Sequence, residues 1–230
     1  MLRQLPKEER RKKILDGVES FILERGNTDF TMQELATYVG ISPTTFYNLF
    51  GSKGALLYSL LNRGLDAIIE GRDSVASSDD PVEHAIMTMT YAADLFIGNP
   101  NLFRPLYKFQ LGERDLADRP LYLDKALVFW RRCLDGLVAA GYIGDKPKGG
   151  EIGRDDLALA LLTHSVGVLD LWVQEDVDDD EFRARMTHDA ALLVCAVVPP
   201  SEKEKIARII KQIRPKMRKF SFLRGVRTRS

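Results

Sequence analysis

Between residues 31 and 50 the chain is punctuated so closely that it has room only for two short helices and a tight corner. Thr31 stands three residues before Glu34, the spacing of a capping box, in which hydroxyl and carboxylate each satisfy the other's backbone N–H. Gly40 stops that helix. Ser42 then offers a second capping oxygen, and Pro43 suits a first helical turn, where no N–H is needed. The segment predicts helices over 31–38 and 42–49 joined by Val39-Gly40-Ile41, which is helix-turn-helix geometry. Leu35, Ala36, Ile41, Phe46 and Leu49 make its interior, and the small Ala36 lets the helices cross closely.

The rest of the chain also reads as helix. Over 7–25, Ile14, Leu15, Val18, Phe21 and Ile22 recur at helical spacing before Gly26. Gly51-Ser52 opens a longer helix over 53–71, and a polar stretch ending at Pro81 separates it from the next unit. Helical patterns then occupy 81–97, 101–111, 119–141, 154–175 and 179–198, and Ile206, Ile209, Ile210 and Ile213 mark a last basic helix. There is no strand alternation and no repeat. The expected fold is all-α, with a three-helix DNA-binding unit over 1–63, a helical ligand-binding and dimerisation domain over 64–200, and a basic helix and tail over 201–230.

At 230 residues and 45% hydrophobic content, such a chain buries a core without covalent staples. Cys133 and Cys195 both sit in apolar helical patterns, and three histidines lie far apart, so neither disulfide framework nor metal-ligand spacing appears. No nucleophile–base pairing or phosphate loop argues for an enzyme, and no cofactor is implied. No signal pattern and no long uninterrupted apolar run is present, so a cytoplasmic chain with no membrane is expected. The zero net charge conceals polarity. Residues 1–63 carry 9 Lys/Arg and 7 Asp/Glu, residues 64–201 carry 13 and 24, and residues 202–230 carry 11 and 2. An acidic middle repels nucleic acid and basic ends attract it.

The second short helix turns Thr44, Thr45, Tyr47 and Asn48 outward, short polar groups suited to base edges and phosphate oxygens rather than the Glu/Lys mixture of a solvated face. Taken in order, Phe30-Thr31-Met32-Gln33-Glu34-Leu35-Ala36, Val39-Gly40-Ile41-Ser42, Thr45-Phe46-Tyr47 and Phe50-Gly51-Ser52-Lys53-Gly54-Ala55-Leu56-Leu57 resemble the TetR/AcrR-type transcriptional regulators over about residues 10–63. One position departs: Leu49 stands where the pattern commonly has His. The resemblance implies a homodimer on palindromic double-stranded operator DNA, released by a small-molecule effector, most often as a repressor. It implies phosphate contacts from Thr31, Ser42, Tyr47 and Lys53, and a major-groove face of Gln33, Thr44, Thr45 and Asn48. Arg10-Arg11-Lys12-Lys13, ahead of the first helix, reads either as an arm on DNA or as a solvated helix end.

For dimerisation the candidates are the helices over 154–175 and 179–198, because the first is apolar on nearly all sides. The middle helices are rich in aromatics, among them Tyr122 and Phe129. Tyr91, Phe103, Tyr107, Trp130, His164 and Trp172 are the candidate pocket residues, each equally able to fill a core. Arg104, Lys108 and Arg114 could meet an acidic effector or form surface ion pairs. The 203–219 stripe reads as a helix docked on the acidic body, with a membrane-surface helix or a nucleic-acid contact as other readings. The alternative function is a DNA-binding protein without a small-molecule effector, controlled by a protein partner.

Overall fold

The computed structural model describes residues 6–75, 80–146, 149 and 151–217. Its first three helices, α1 (Lys7–Arg25), α2 (Met32–Val39) and α3 (Pro43–Phe50), form the reading unit. α1 buries the expected stripe of Ile14, Leu15, Val18, Phe21 and Ile22. α2 contributes Leu35 and Ala36, and α3 contributes Phe46, all three fully buried.

The basic cluster does not precede the first helix. Arg10 to Lys13 lie within α1, and Arg11 points inward. Its Nη1 donates to the Leu49 carbonyl at 2.8 Å, its Nη2 donates to Ser59 Oγ at 2.8 Å, and the guanidinium lies 4.4 Å from the Phe50 ring centroid. One side chain thus joins α1, the end of α3 and the next helix. Arg11→Met keeps the apolar stem and removes a charged donor from two acceptors. It is expected to lower stability by about 1–3 kcal/mol, read as a melting-temperature fall of about 3–10 °C. An unchanged melt would refute this bracing role.

α4 (Lys53–Val75) leaves the reading unit and enters the body, four residues longer than its sequence pattern. Leu56, Leu57, Leu60 and Leu61 are buried, and the apolar core runs without a break from Ile14 in α1 to Ile206 near the C-terminus. The body continues with α5 (Pro81–Gly98), α6 (Pro100–Gly112), α7 (Asp118–Cys133), α8 (Asp135–Ala139), α9 (Arg154–Val173), α10 (Asp179–Cys195) and α11 (Pro200–Ile213), of which α5, α6 and α7 pack on α4. Among the described residues no strand forms. An isolated bridge between Gly144 and Gly153 closes the loop before α9.

The helix expected over 119–141 is divided at Leu134. Leu134 and Leu137 are both fully buried, and α8 packs on α5, so the break lets both leucines sink into the core. α9 and α10 pack on each other, and α10 also packs on α5, where Thr90 and Thr187 share a buried hydrogen bond of 2.8 Å. α9 has a mean hydropathy of 1.4 over an 18-residue window, enough for a membrane span by composition. Here Leu157, Leu161, Val168, Leu169 and Trp172 go into the core, while Leu159 on the outer side stays 54% exposed. The basic α11 docks on α10 through Ile206, and Lys205 bonds Asp80, the N-cap of α5. The basic residues from 218 onward lie outside the described residues.

Candidate nucleic-acid interface and interior cavity

Local hydrogen bonds set the reading unit's geometry. Thr31 Oγ1 accepts the Glu34 N–H at 3.2 Å, and Glu34 Oε2 accepts both the Thr31 N–H, at 2.8 Å, and its hydroxyl, at 2.9 Å. The Thr31 N–H is the main reason the Glu34 carboxyl titrates below the usual carboxylate range. Gly40 turns the corner at φ 75°, in the left-handed region where a Cβ is unfavourable. Ser42 Oγ accepts the Thr45 N–H at 3.2 Å and shares a proton with Thr45 Oγ1 at 2.8 Å.

These caps correct part of the expected contact set. The Thr31 hydroxyl both donates and accepts within the unit and is not free to meet phosphate in this arrangement, while the Ser42–Thr45 pair uses one hydroxyl proton internally and keeps the second. Thr45 is also half-buried. What faces outward is Gln33, Thr44, Tyr47 and Asn48. All four are exposed, Tyr47 at 51%, and none of these side chains bonds another described group. Behind them Phe46 and Phe50 pack with ring centroids 5.6 Å apart. The starts of α2 and α3 present positive helix ends nearby, where phosphate oxygens are favoured. Lys53 opens α4 half-buried, its ammonium 4.7 Å from the Phe30 ring centroid. It lines a groove of about 650 Å³ between the 26–29 turn and α6.

Two side chains brace this face in a role that the sequence did not signal. Arg11 is one. Arg63 is the other, bonding Asp16 and Glu19 and so fastening α4 to α1. Their partners lie 38 to 48 residues away, where no periodicity can signal them.

Deeper in the body, α4, α5, α6, α7, α9 and α10 enclose a cavity of about 60 Å³. Of the six candidate pocket residues, Tyr107 and Trp130 line it. The other four lie elsewhere. Tyr91 lies over Gly71, where a Cβ would come within 1.7 Å of its hydroxyl oxygen. Phe103 packs edge-on against Phe96 at 5.3 Å and covers Gly64. Trp172 is fully buried, stacked on Phe182 at 4.9 Å, with Nε1 donating to Asp179 at 2.7 Å. His164 lies on the outer side of α9, its Nε2 2.6 Å from Asp189 Oδ2.

Arg104 is committed to Asp179 at 3.0 Å and Glu175 at 3.6 Å, which removes it as an anchor in the cavity. Lys108 and Arg114 are exposed on the outside. Gln110, 2% exposed, and Tyr122 also line the cavity. A lone glutamine in the helical row Leu106-Tyr107-Gln110 was the available signal for the first. Tyr107 and Tyr122 share a hydrogen bond of 2.7 Å, and burial pushes Tyr122 up to about 12 and Tyr107 well above its ordinary value. From α4, Tyr58 touches this pair, its ring 6.0 Å from Tyr122.

The outer faces of α9 and α10 form a shallow groove of about 790 Å³, lined by Leu159, His164, Leu171, Arg185, Asp189 and Leu193. Asp189 accepts from both sides, from His164 and, at 2.8 Å, from His188.

Comparison with known proteins agrees with this architecture. Residues 14–60 match the family described as bacterial regulatory proteins, tetR family. The HTH-type transcriptional activator FasR of Mycolicibacterium smegmatis is 24% identical over 181 residues, covering 77% of this chain and 79% of the relative. A TetR-family regulator structure from Syntrophomonas wolfei superposes with a TM-score of 0.65 at 22% identity, covering 82% of this chain and 96% of that one. SmeT, the repressor of the Stenotrophomonas maltophilia multidrug efflux pump SmeDEF, superposes at 0.60 with 20% identity over 83% and 91%. Residues 14–60 thus carry the DNA-binding unit of the bacterial regulatory proteins of the tetR family, on a chain whose fold over most of its length is that of the TetR-family structures.

Proposed function

We propose that the chain binds a palindromic operator as a homodimer in the cytoplasm and that a small molecule entering the interior cavity alters its grip on DNA. The observation that carries this reading is the α3 face: Thr44, Tyr47 and Asn48 are exposed, uncharged and without partners among the described residues, on a helix whose opposite side buries Phe46 and Phe50. One such helix reads only a few base pairs, so two are needed, about 34–36 Å apart on successive major grooves. The outer faces of α9 and α10 supply the dimer contact. α9 already buries one side in the core, and among the described residues its other side leaves Leu159 54% exposed and Leu171 only partly covered.

α4 supplies the coupling. It starts at Lys53 beside the reading face and contributes Leu65 and Ile68 to the cavity wall. A bound molecule of ordinary size needs roughly 300 Å³ or more, so entry must part the helices and tilt α4. Such coupling is typically about 1–3 kcal/mol. The sign of regulation depends on where the operator lies relative to the promoter, and similar proteins include a named activator and a named repressor.

Fluorescence anisotropy on the DNA upstream of the chain's own gene tests the reading. Sequence-selective binding that weakens steeply between 50 and 200 mM salt is expected, and its absence would end the proposal. The small cavity favours a second reading, control by a protein partner without an effector. A library thermal-shift screen separates the two, since only a ligand-binding body is stabilised by added compounds.

The His164–Asp189 contact gives a pH prediction. Its hydrogen bond to Asp189 raises the His164 pKa above the ordinary 6.5, and the two histidines help hold Asp189 below its ordinary value of 3.8. A group with a raised folded pKa contributes stability that is present below about pH 6.5 and lost as pH rises through the raised value. The fold should therefore be more stable at pH 6 than at pH 8 from this contact. His164→Gln should flatten that difference in thermal melts at the two pH values. Asp189's contribution disappears only in acid, below pH 3.8.

A further inference from the structure

The cavity's lining is selective in its chemistry. Among the described residues around it there is no Asp, Glu, Lys, Arg or His. Most of the wall is hydrocarbon and aromatic, from Leu65 and Ile68 through Phe96, Trp130 and Leu169 to Met186. Three polar groups interrupt it. Ser165 Oγ donates to the Leu162 carbonyl at 2.8 Å and so is already committed. The Tyr107–Tyr122 pair uses one hydroxyl proton internally and keeps the second. The Gln110 side-chain amide, on a residue only 2% exposed, makes no hydrogen bond to any described group. An amide on the cavity wall with open donor and acceptor positions is where the polar group of a guest can bond.

Taking the cavity as the effector site proposed above, we infer that it accepts an uncharged, hydrocarbon-rich molecule carrying one compact polar group, recognised by the Gln110 amide and the free hydroxyl proton of the Tyr107–Tyr122 pair. A charged group would enter without a counter-ion, which is strongly unfavourable in apolar surroundings. The tyrosines cannot supply one at neutral pH, because burial keeps both protonated. A carboxylic acid has to enter protonated, and at pH 7.5 an acid of ordinary pKa about 4.5 is in that form in only about one molecule in a thousand. The acidic effector that Arg104, Lys108 and Arg114 suggested in sequence finds no cation in this wall.

Four probes of matched chain length test the inference by calorimetric titration of the full chain at pH 7.5: octanamide, 1-octanol, octanoate and octylammonium. Octanamide and octanol are expected to bind saturably, and the two ions at least about a hundredfold more weakly. Gln110→Leu keeps the volume and removes the amide. It is expected to weaken octanamide about tenfold, to change octanol less, and to leave the melting temperature equal or higher. Ala126→Leu, which fills the cavity, should abolish binding of every probe. Ions that bind as tightly as the neutral probes, and are still blocked by Ala126→Leu, would overturn the ligand class while leaving the site in place. An unchanged octanamide-to-octanol ratio in Gln110→Leu would overturn the recognition role of Gln110. If no probe binds, or Ala126→Leu blocks none, the cavity is not the effector site and both readings fall together.

Discussion

Replacing Tyr47 and Asn48 together by alanine is expected to weaken operator binding by at least about a hundredfold while leaving the fold intact. Asn matched to an adenine edge contributes about 1–3 kcal/mol of discrimination, and a phosphate contact from Tyr47 adds to it. Every 1.4 kcal/mol is tenfold. Both side chains are exposed and bond nothing in the described chain, so their loss should move stability by no more than about 0.5 kcal/mol. The single variants separate the roles. Asn48→Ala should narrow the gap between operator and scrambled DNA, whereas Tyr47→Phe should weaken both alike. Anisotropy titrations on the two fragments, beside a thermal melt, give all of these numbers. Full operator affinity in the double variant would mean that α3 is not the helix that reads DNA.

Phe46→Ala is the largest stability effect expected. Phe46 is fully buried at the centre of the reading unit and packs against Phe50. Removing a buried aromatic costs about 3–5 kcal/mol, a fall of about 6–20 °C in melting temperature for a chain of this size. Both tryptophans, Trp130 and Trp172, lie in the body, so tryptophan fluorescence reports the body alone and circular dichroism reports all helices. Because the core continues from α1 through α4 into the body, the two melts should fall together. A tryptophan melt that stays in place while DNA binding is lost would show that the reading unit unfolds by itself. α4 would then be a poor rod for transmitting strain.

Local signals carried the reading unit. The Thr31–Glu34 box, Gly40, and Ser42-Pro43 act within three or four residues, so both short helices and their corner could be placed within about one residue. Long amphipathic stripes did the same for α1 and α5. Leu134 shows where such reasoning stops. Gly136, two residues on, only weakens a helix, and the division between α7 and α8 is placed by α5, which packs on α8 while both Leu134 and Leu137 are buried. The pocket residues show a second limit. Tyr107 and Trp172 are both aromatic residues next to a leucine in a helical pattern, yet one lines the cavity and the other is clamped by Phe182, Asp179 and Arg104.

From sequence alone came the all-helical fold and the helix-turn-helix with its outward polar face, because capping, turn geometry and amphipathic period depend on neighbours close along the chain. Tertiary structure decided the rest. It turned Arg11 inward, set the Thr31 and Ser42 hydroxyls into caps, placed His164 against Asp189, and left Gln110 facing an uncharged hollow. These outcomes depend on which helix face meets which neighbour across tens of residues, and hydrophobic content says only that a side chain is buried, not what it is buried against.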